Sequence, residues 1–208
     1  MNGPSSRSAS ARPALNVAVI GSTYPRSPAD PLVPWLRESV NRLARRGHRV
    51  TVIAPSFEGL PSHEIDGVPV LRFRYAPKSV ERLTHDEGAP SKVRRGFYPL
   101  LAIPYILCGA RQIARWSAER RFDVLHVHWP FPHGLMVALS GASRRIPVVA
   151  TCHGAELAMA RRSGPISRVL RRSLVQADAL SCNSSHTRNE IERLSGRSAT
   201  VIPYGATV

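Results

Sequence analysis

The chain has 208 residues, enough for one large domain with a sizeable core, and 43% of it is hydrophobic. It carries 29 Lys and Arg against 14 Asp and Glu, a formal net charge of +15, and Lys78 and Lys92 are its only lysines. Cys108, Cys152 and Cys182 are odd in number with no C-x-x-C pair, which argues against a disulfide framework and for a reducing compartment. No apolar run reaches the roughly 18 residues that a membrane span needs.

Residues 1–14 are rich in Ser, Arg, Ala and Pro and hold no acid, the composition of a disordered arm. Asn16 to Ile20 then reads as a buried strand, followed by a loop from Gly21 to Asp30. Asp30 is placed to cap a helix that Pro31 begins, with Leu32, Leu36, Val40 and Leu43 on one face and Gly47 as its stop. Val50 to Ala54 is the second strand and Pro55 ends it. One glycine in the first loop is too few for the G-x-G-x-x-G dinucleotide fingerprint.

Gly67 to Tyr75 interleaves apolar residues with Arg72 and Arg74, the pattern of an edge strand or hairpin with one wet face. Ala76 to Gly96 has no period and reads as a long surface loop. Phe97 to Arg120 returns to helix, with Pro99 and Pro104 starting or kinking it. The apolar part, Tyr98 to Cys108, suits either core or an interfacial patch.

Phe122 to Glu156 is the stretch around which the rest is arranged. Val124 to Val127 is a short strand stopped at His128-Trp129-Pro130; Gly134 to Ser143 fits one helix; Val148 to Thr151 is a second strand, ending at Cys152-His153-Gly154. Ligands of parallel α/β sheets sit beyond the carboxyl ends of the strands. His128, Trp129, His133, His153 and Glu156 all fall there. A helix from about Pro165 to Gln176 follows, with Ile166, Val169, Leu170 and Leu174 on one face and Arg168, Arg171 and Arg172 on the other. Such a helix lies on an anionic membrane or simply divides core from solvent. Ala179 to Cys182, a helix from Ser184 to Leu194 with a hydroxyl cap, and Thr200 to Ile202 complete about six strands alternating with helices. The expected fold class is a doubly wound, mostly parallel α/β sheet.

No P-loop, G-x-S-x-G elbow or zinc-type Cys/His spacing is present. His126 and His128 share a strand face near His133, but nothing in the spacing supplies a further ligand, so no metal site is expected. The other reading of these histidines is hydrogen bonding to backbone or substrate. His153 directly follows a strand, and Gly154 after it lets a ligand approach the backbone closely, which makes His153 the best single catalytic candidate. Glu156 either orients the imidazole, binds a sugar hydroxyl, or sits in the first turn of a helix. Arginine-rich charge admits anionic lipid, nucleic acid or phosphorylated ligands. Nucleic acid is set aside, because no helix-turn-helix, RNP or OB signature accompanies the charge and the arginines spread over the whole chain.

Taken in order, the Tyr24-Pro25 loop, R-R-G-H-R-V-T-V-I-A-P at 45–55, F-D-V-L-H-V-H-W-P at 122–130, T-C-H-G-A-E at 151–156, A-D-A-L-S-C-N-S at 177–184 and V-I-P-Y-G at 201–205 resemble one known family. The chain from Leu15 onward is similar to the N-terminal, acceptor-side domain of a GT-B-fold, family 4-like glycosyltransferase, a retaining group. The resemblance implies a Rossmann-like half of a GT-B fold that binds the acceptor while a C-terminal domain binds most of the nucleotide-sugar donor. It implies that His153 is the catalytic histidine contacting the transferred sugar, and that Glu156 stands where the family often has Asp. It implies ligand contacts around Gly21, Tyr24 and Asp30 of the first loop, where Pro28-Ala29-Asp30 replaces a common Gly-Gly turn. His128, Trp129, His133, Gly154, Asn183, Ser184 and Gly205 complete the expected substrate-binding set, with Tyr204 in place of the usual Asn.

The expected co-substrate is a nucleotide-sugar, with no resident cofactor or metal. The expected partners are a sugar or lipid-linked acceptor, an anionic membrane surface, and a donor-domain partner chain, since the sequence stops where the donor domain would begin. The expected location is cytoplasmic, or peripheral at the inner membrane face. The alternative is a non-catalytic acceptor- or membrane-binding module left by truncation or gene splitting.

Overall fold

In the computed structural model the described residues are 13–84 and 98–205. The order is β1 (Asn16–Ile20), α1 (Pro34–Arg45), β2 (Arg49–Pro55), β3 (His63–Ile65), β4 (Val68–Phe73), α2 (Tyr98–Arg120), β5 (Val124–His128), α3 (Pro130–Ser140), β6 (Val148–Cys152), α4 (Ala155–Arg162), α5 (Gly164–Gln176), β7 (Ala179–Cys182), α6 (Ser185–Ser195) and β8 (Thr200–Val201). The strands form one sheet in the order β3-β4-β2-β1-β5-β6-β7-β8. Every pairing is parallel except β3 with β4. The sheet is mostly parallel and doubly wound, as expected.

Alternation along β1 explains the two layers. Val17 and Val19 pack with Leu36 and Val40 of α1 and with Val50 and Val52 of β2. Ala18 and Ile20 point the other way, into a cluster with Ile53, Ile113 of α2, Met136 of α3 and Leu170 of α5. Helices α2 and α3 cross closely at Gly109, where a Cβ would lie 2.6 Å from the Met136 sulfur. The order reverses between β1 and β5, so the crevice at their carboxyl ends is the switch point where ligands of such sheets bind.

Several local expectations are corrected. Helix α1 begins at Pro34 and not at Pro31, because Asp30 is drawn into another task. Its carboxylate accepts from the Arg26 backbone and guanidinium and from the Leu32 backbone, and Val33 turns the chain into the helix at φ 45°. Among the described residues there are eight strands, since the three-residue β3 pairs with β4 across the Asp66-Gly67 turn. Strand β4 has no wet face at Arg72, which is 5% exposed. Its guanidinium donates to the carbonyls of Tyr24, Pro25 and Pro55.

The described part of the 76–96 loop is not all surface. It contains a 3-10 turn, Lys78–Val80, and buries Glu81, Leu83 and Thr84. Glu81 accepts from the backbones of Gly59 and Tyr75 and from Arg74. The arm at 1–12, loop residues 85–96 and Phe97 lie outside the described residues. The span of α3 opens at Pro130, after Trp129 turns the chain at φ 53°, but Phe131 is extended (φ −113°, ψ 122°), so the continuous helix follows that kink and begins only shortly before Gly134. In α5, Leu170 and Leu174 are buried while Arg168, Arg171 and Arg172 are exposed. Its apolar side therefore belongs to the core.

Candidate active site

Parallel register brings the ends of β5 and β6 side by side, with His128 opposite Thr151. His153 then follows β6 by one residue and faces back across the gap. Its Nε2 lies 3.0 Å from His128 Nδ1, and the two rings stack at 17°. Its Nδ1 is hydrogen-bonded to the phenol of Tyr204, just past β8. Trp35, in the first turn of α1, sits 4.7 Å from the His153 ring and 4.6 Å from Tyr204, with which it stacks. Trp129 closes the other side at 4.6 Å. Five rings from four segments thus meet at one end of the sheet.

Burial keeps this array uncharged. Transfer out of water disfavours imidazolium, so the pKa of His153 is pushed down to about 3 and those of His126 and His133 to about 4. His128, wholly enclosed and flanked by the other histidines, lies well below the ordinary value. At neutral pH each ring has one N–H and one lone pair. The site offers hydrogen bonds and aromatic faces, with no formal positive charge on the imidazoles.

Glu156 holds the backbone of this array. Gly154, at φ 99°, caps α4, and Glu156 Oε1 accepts from the His153 backbone N–H at 2.8 Å. The carboxylate therefore fixes where His153 sits without touching its imidazole. Its other oxygen, Oε2, is buried without a hydrogen-bond partner, and burial raises the carboxyl pKa.

His133 is a structural pin. Its Nδ1 lies 3.0 Å from the carbonyls of His128 and Trp129, which only accept, so Nδ1 carries the proton. Nε2 then accepts from the Tyr105 hydroxyl at 3.0 Å. His126 bonds Thr151, which bonds Ser181. Among the described residues no group of three or more His, Cys, Asp and Glu is arranged to hold a metal ion.

Of the other expected site residues, Gly21 lies under Trp129, where a Cβ would come within 3.4 Å of the indole. Tyr24 is fully buried in the α1-side core, which pushes its phenol pKa up to about 12. Together with Asp30 it shapes the first loop from within. Asn183 accepts from Thr187, and Ser184 caps α6 by accepting from the Thr187 backbone at 3.2 Å. Asn183 also bonds Tyr204. Gly205 is exposed beyond the ring cluster.

Trp35 and Tyr204 were not expected at the site. Trp35 gave a weak signal as a large aromatic beside the apolar stripe of α1, one position before Leu36. A second signal, also weak, was the aromatic ring that Tyr204 places between Pro203 and Gly205.

Fold and site together define an open α/β domain with an aromatic-lined crevice at its strand ends. The model of Glycosyltransferase Family 4 matches residues 35–207, and the chain belongs to that family. It is 28% identical over 155 residues to N-acetyl-alpha-D-glucosaminyl L-malate synthase of Bacillus anthracis, covering 74% of this chain and 36% of that protein. It is also 28% identical over 201 residues to a putative teichuronic acid biosynthesis glycosyltransferase of Bacillus subtilis, covering 92% of this chain and 50% of the relative. The chain thus spans half or less of the curated relatives it matches. Sucrose-phosphate synthase from Thermosynechococcus elongatus shares the fold, with a TM-score of 0.67 at 16% identity over 92% of this chain and 48% of that one.

Proposed function

We propose that this chain is the acceptor-binding half of a retaining glycosyltransferase, which moves a hexose from a nucleotide-sugar to an acceptor hydroxyl. The observation that carries the reading is the neutral His128–His153–Tyr204 array beneath Trp35 and Trp129 at the switch point. Aromatic faces and neutral hydrogen-bonding groups suit a sugar ring. In this reading a substrate hydroxyl takes the place of the Tyr204 phenol at His153 Nδ1. A donor-binding domain supplies the opposite wall and shuts out water, in keeping with relatives about twice this length.

The reaction needs no resident cofactor, and the nucleotide-sugar is a co-substrate. A metal-free route is favoured because the histidine nitrogens face one another, Thr151, Tyr105, Tyr204 and main-chain carbonyls. The test is His153→Ala in the active enzyme. Transfer should fall by about 100-fold or more, the scale for losing one well-placed hydrogen-bonding group, with the far-UV spectrum unchanged. Undiminished turnover would remove His153 from the site.

A second reading, attachment to an anionic membrane, has its own support in an exposed apolar strip on α2, where Leu100, Ile103 and Leu107 are 74%, 66% and 56% exposed. No helix among the described residues is long and apolar enough to cross a membrane. Binding to vesicles containing phosphatidylglycerol, lost in a Leu100→Asp/Ile103→Asp double variant, is the expected outcome of co-sedimentation. Equal sedimentation of both proteins would exclude the strip.

A further inference from the structure

Beside the ring array lies a cavity of about 300 Å³, at the small end of the range for small-molecule sites. Its wall is made by Leu83, Ala102, Ile106, Phe131, Met159 and Ile166, contributed by the loop after β4, α2, α3, α4 and α5. Trp129, which packs on His153, also lines it, so the cavity and the proposed reaction centre share a wall. Glu156 is part of the lining as well, and its Oε2 is buried without a hydrogen-bond partner. Among the described residues no Lys or Arg lines the cavity. That is notable in a chain of net charge +15.

These features select a ligand class. Among the described residues, a dicarboxylate or phosphorylated acceptor entering here would meet mostly apolar surface, the neutral polar groups of Ser22, Thr23, Tyr105 and His133, and the Glu156 carboxyl group, with no cation among them to replace the water it loses. A neutral molecule with an apolar body and a hydroxyl matches on both counts. Its body removes the wall from water, and its O–H can donate to Glu156 Oε2. We propose that the cavity is the acceptor subsite, and that it takes a neutral amphiphilic alcohol, either an aliphatic or aromatic aglycone or the first part of a lipid-linked glycan. The proposal rests on the glycosyltransferase reading for the word acceptor, and on the cavity alone for the ligand class.

The experiment is calorimetric titration of the 208-residue chain, without donor, with methyl, butyl, hexyl and octyl β-D-glucopyranoside below their micelle concentrations. Titrations with L-malate and inorganic phosphate run beside them. Affinity should rise about fourfold per added methylene until the cavity is full, the scale for burying one CH₂ group, while malate and phosphate should not compete. Ala102→Trp, which fills the cavity from α2, should flatten the chain-length series. Met159→Arg, which adds a cation to the wall from α4, should weaken the octyl glucoside, with folding of both variants confirmed by circular dichroism. Equal affinity for methyl and octyl glucosides, or displacement of octyl glucoside by malate or phosphate, overturns the proposal. Because no donor is present, tight octyl glucoside binding by a protein that transfers no sugar from any donor, alone or with the product of the adjacent reading frame, would reject the enzymatic reading and leave the ligand site standing.

Discussion

Acid should unfold this domain in a window from about pH 6.5 to pH 4, well before most of its carboxylates titrate. His126, His128, His133 and His153 are held neutral by burial, with folded pKa values of about 4 for His126 and His133, about 3 for His153 and well below normal for His128. In the unfolded chain each protonates near pH 6.5. Between those limits the unfolded state binds more protons than the folded one, so stability falls as pH falls. Each group contributes a slope of about 1.4 kcal/mol per pH unit. His126, His133 and His153 together therefore cost on the order of 10 kcal/mol by pH 4, comparable with the 5–15 kcal/mol that a domain has in total, and His128 acts in the same direction.

Glu156 works in the opposite direction, since its raised pKa favours the folded state at low pH, but it is one group against four. Asp66, drawn down to about 2 by Arg37 and Asn41, adds an acid loss of its own only below about pH 4. The expected result is a denaturant midpoint that drops steeply from pH 7 to pH 5. His133→Gln should make that drop shallower, whatever it does to stability at pH 7. A midpoint constant across the range would show that the histidines are not buried neutral.

Arg72→Met should cost about 3–5 kcal/mol, although Arg72 is not among the rings of the site. The guanidinium donates at 3.2, 2.9 and 2.6 Å to the carbonyls of Pro55, Tyr24 and Pro25, all buried. Desolvation lowers its pKa to about 10, so it remains charged at neutral pH. Methionine keeps the apolar stem and removes every donor, leaving three carbonyls without partners, and hydrogen bonds to charged groups are worth about 1.5–3 kcal/mol each. The loss also frees the Tyr24-Pro25 loop from the end of β2, next to the site. Arg72→Lys should recover only part of the loss, because one ammonium cannot reproduce the planar fork. Urea unfolding of the three proteins checks both statements; a change below 1 kcal/mol for Arg72→Met would refute them.

Arg72 also shows where the sequence stops being legible. An arginine between apolar neighbours reads as a wet face, and its burial depends on carbonyls 47 and 48 residues away. Asp30 misleads in a related way. As a cap before Pro31 it fits the local rules, yet Arg26 competes for the same carboxylate and wins. Other local signals hold: Ser184 caps α6, Gly47 in a left-handed conformation stops α1, and the short apolar runs at 16–20, 124–127 and 148–151 are the central strands.

The same division runs through the site. Placement of His128, Trp129 and His153 at strand ends follows from the βαβ pattern. That Tyr204 meets His153 across 51 residues, that Trp35 turns inward from α1, and that His133 is committed to Tyr105 all follow from tertiary packing.

The central claim is tested most directly by sugar transfer itself. Purified protein is incubated with UDP-, GDP- and ADP-hexoses and an alkyl glucoside acceptor, alone and together with the product of the adjacent reading frame. The account predicts a glycosylated product whose new bond keeps the anomeric configuration of the donor. Neither donor binding nor product in any mixture would contradict it, and would leave a ligand-binding domain of this family without transferase activity.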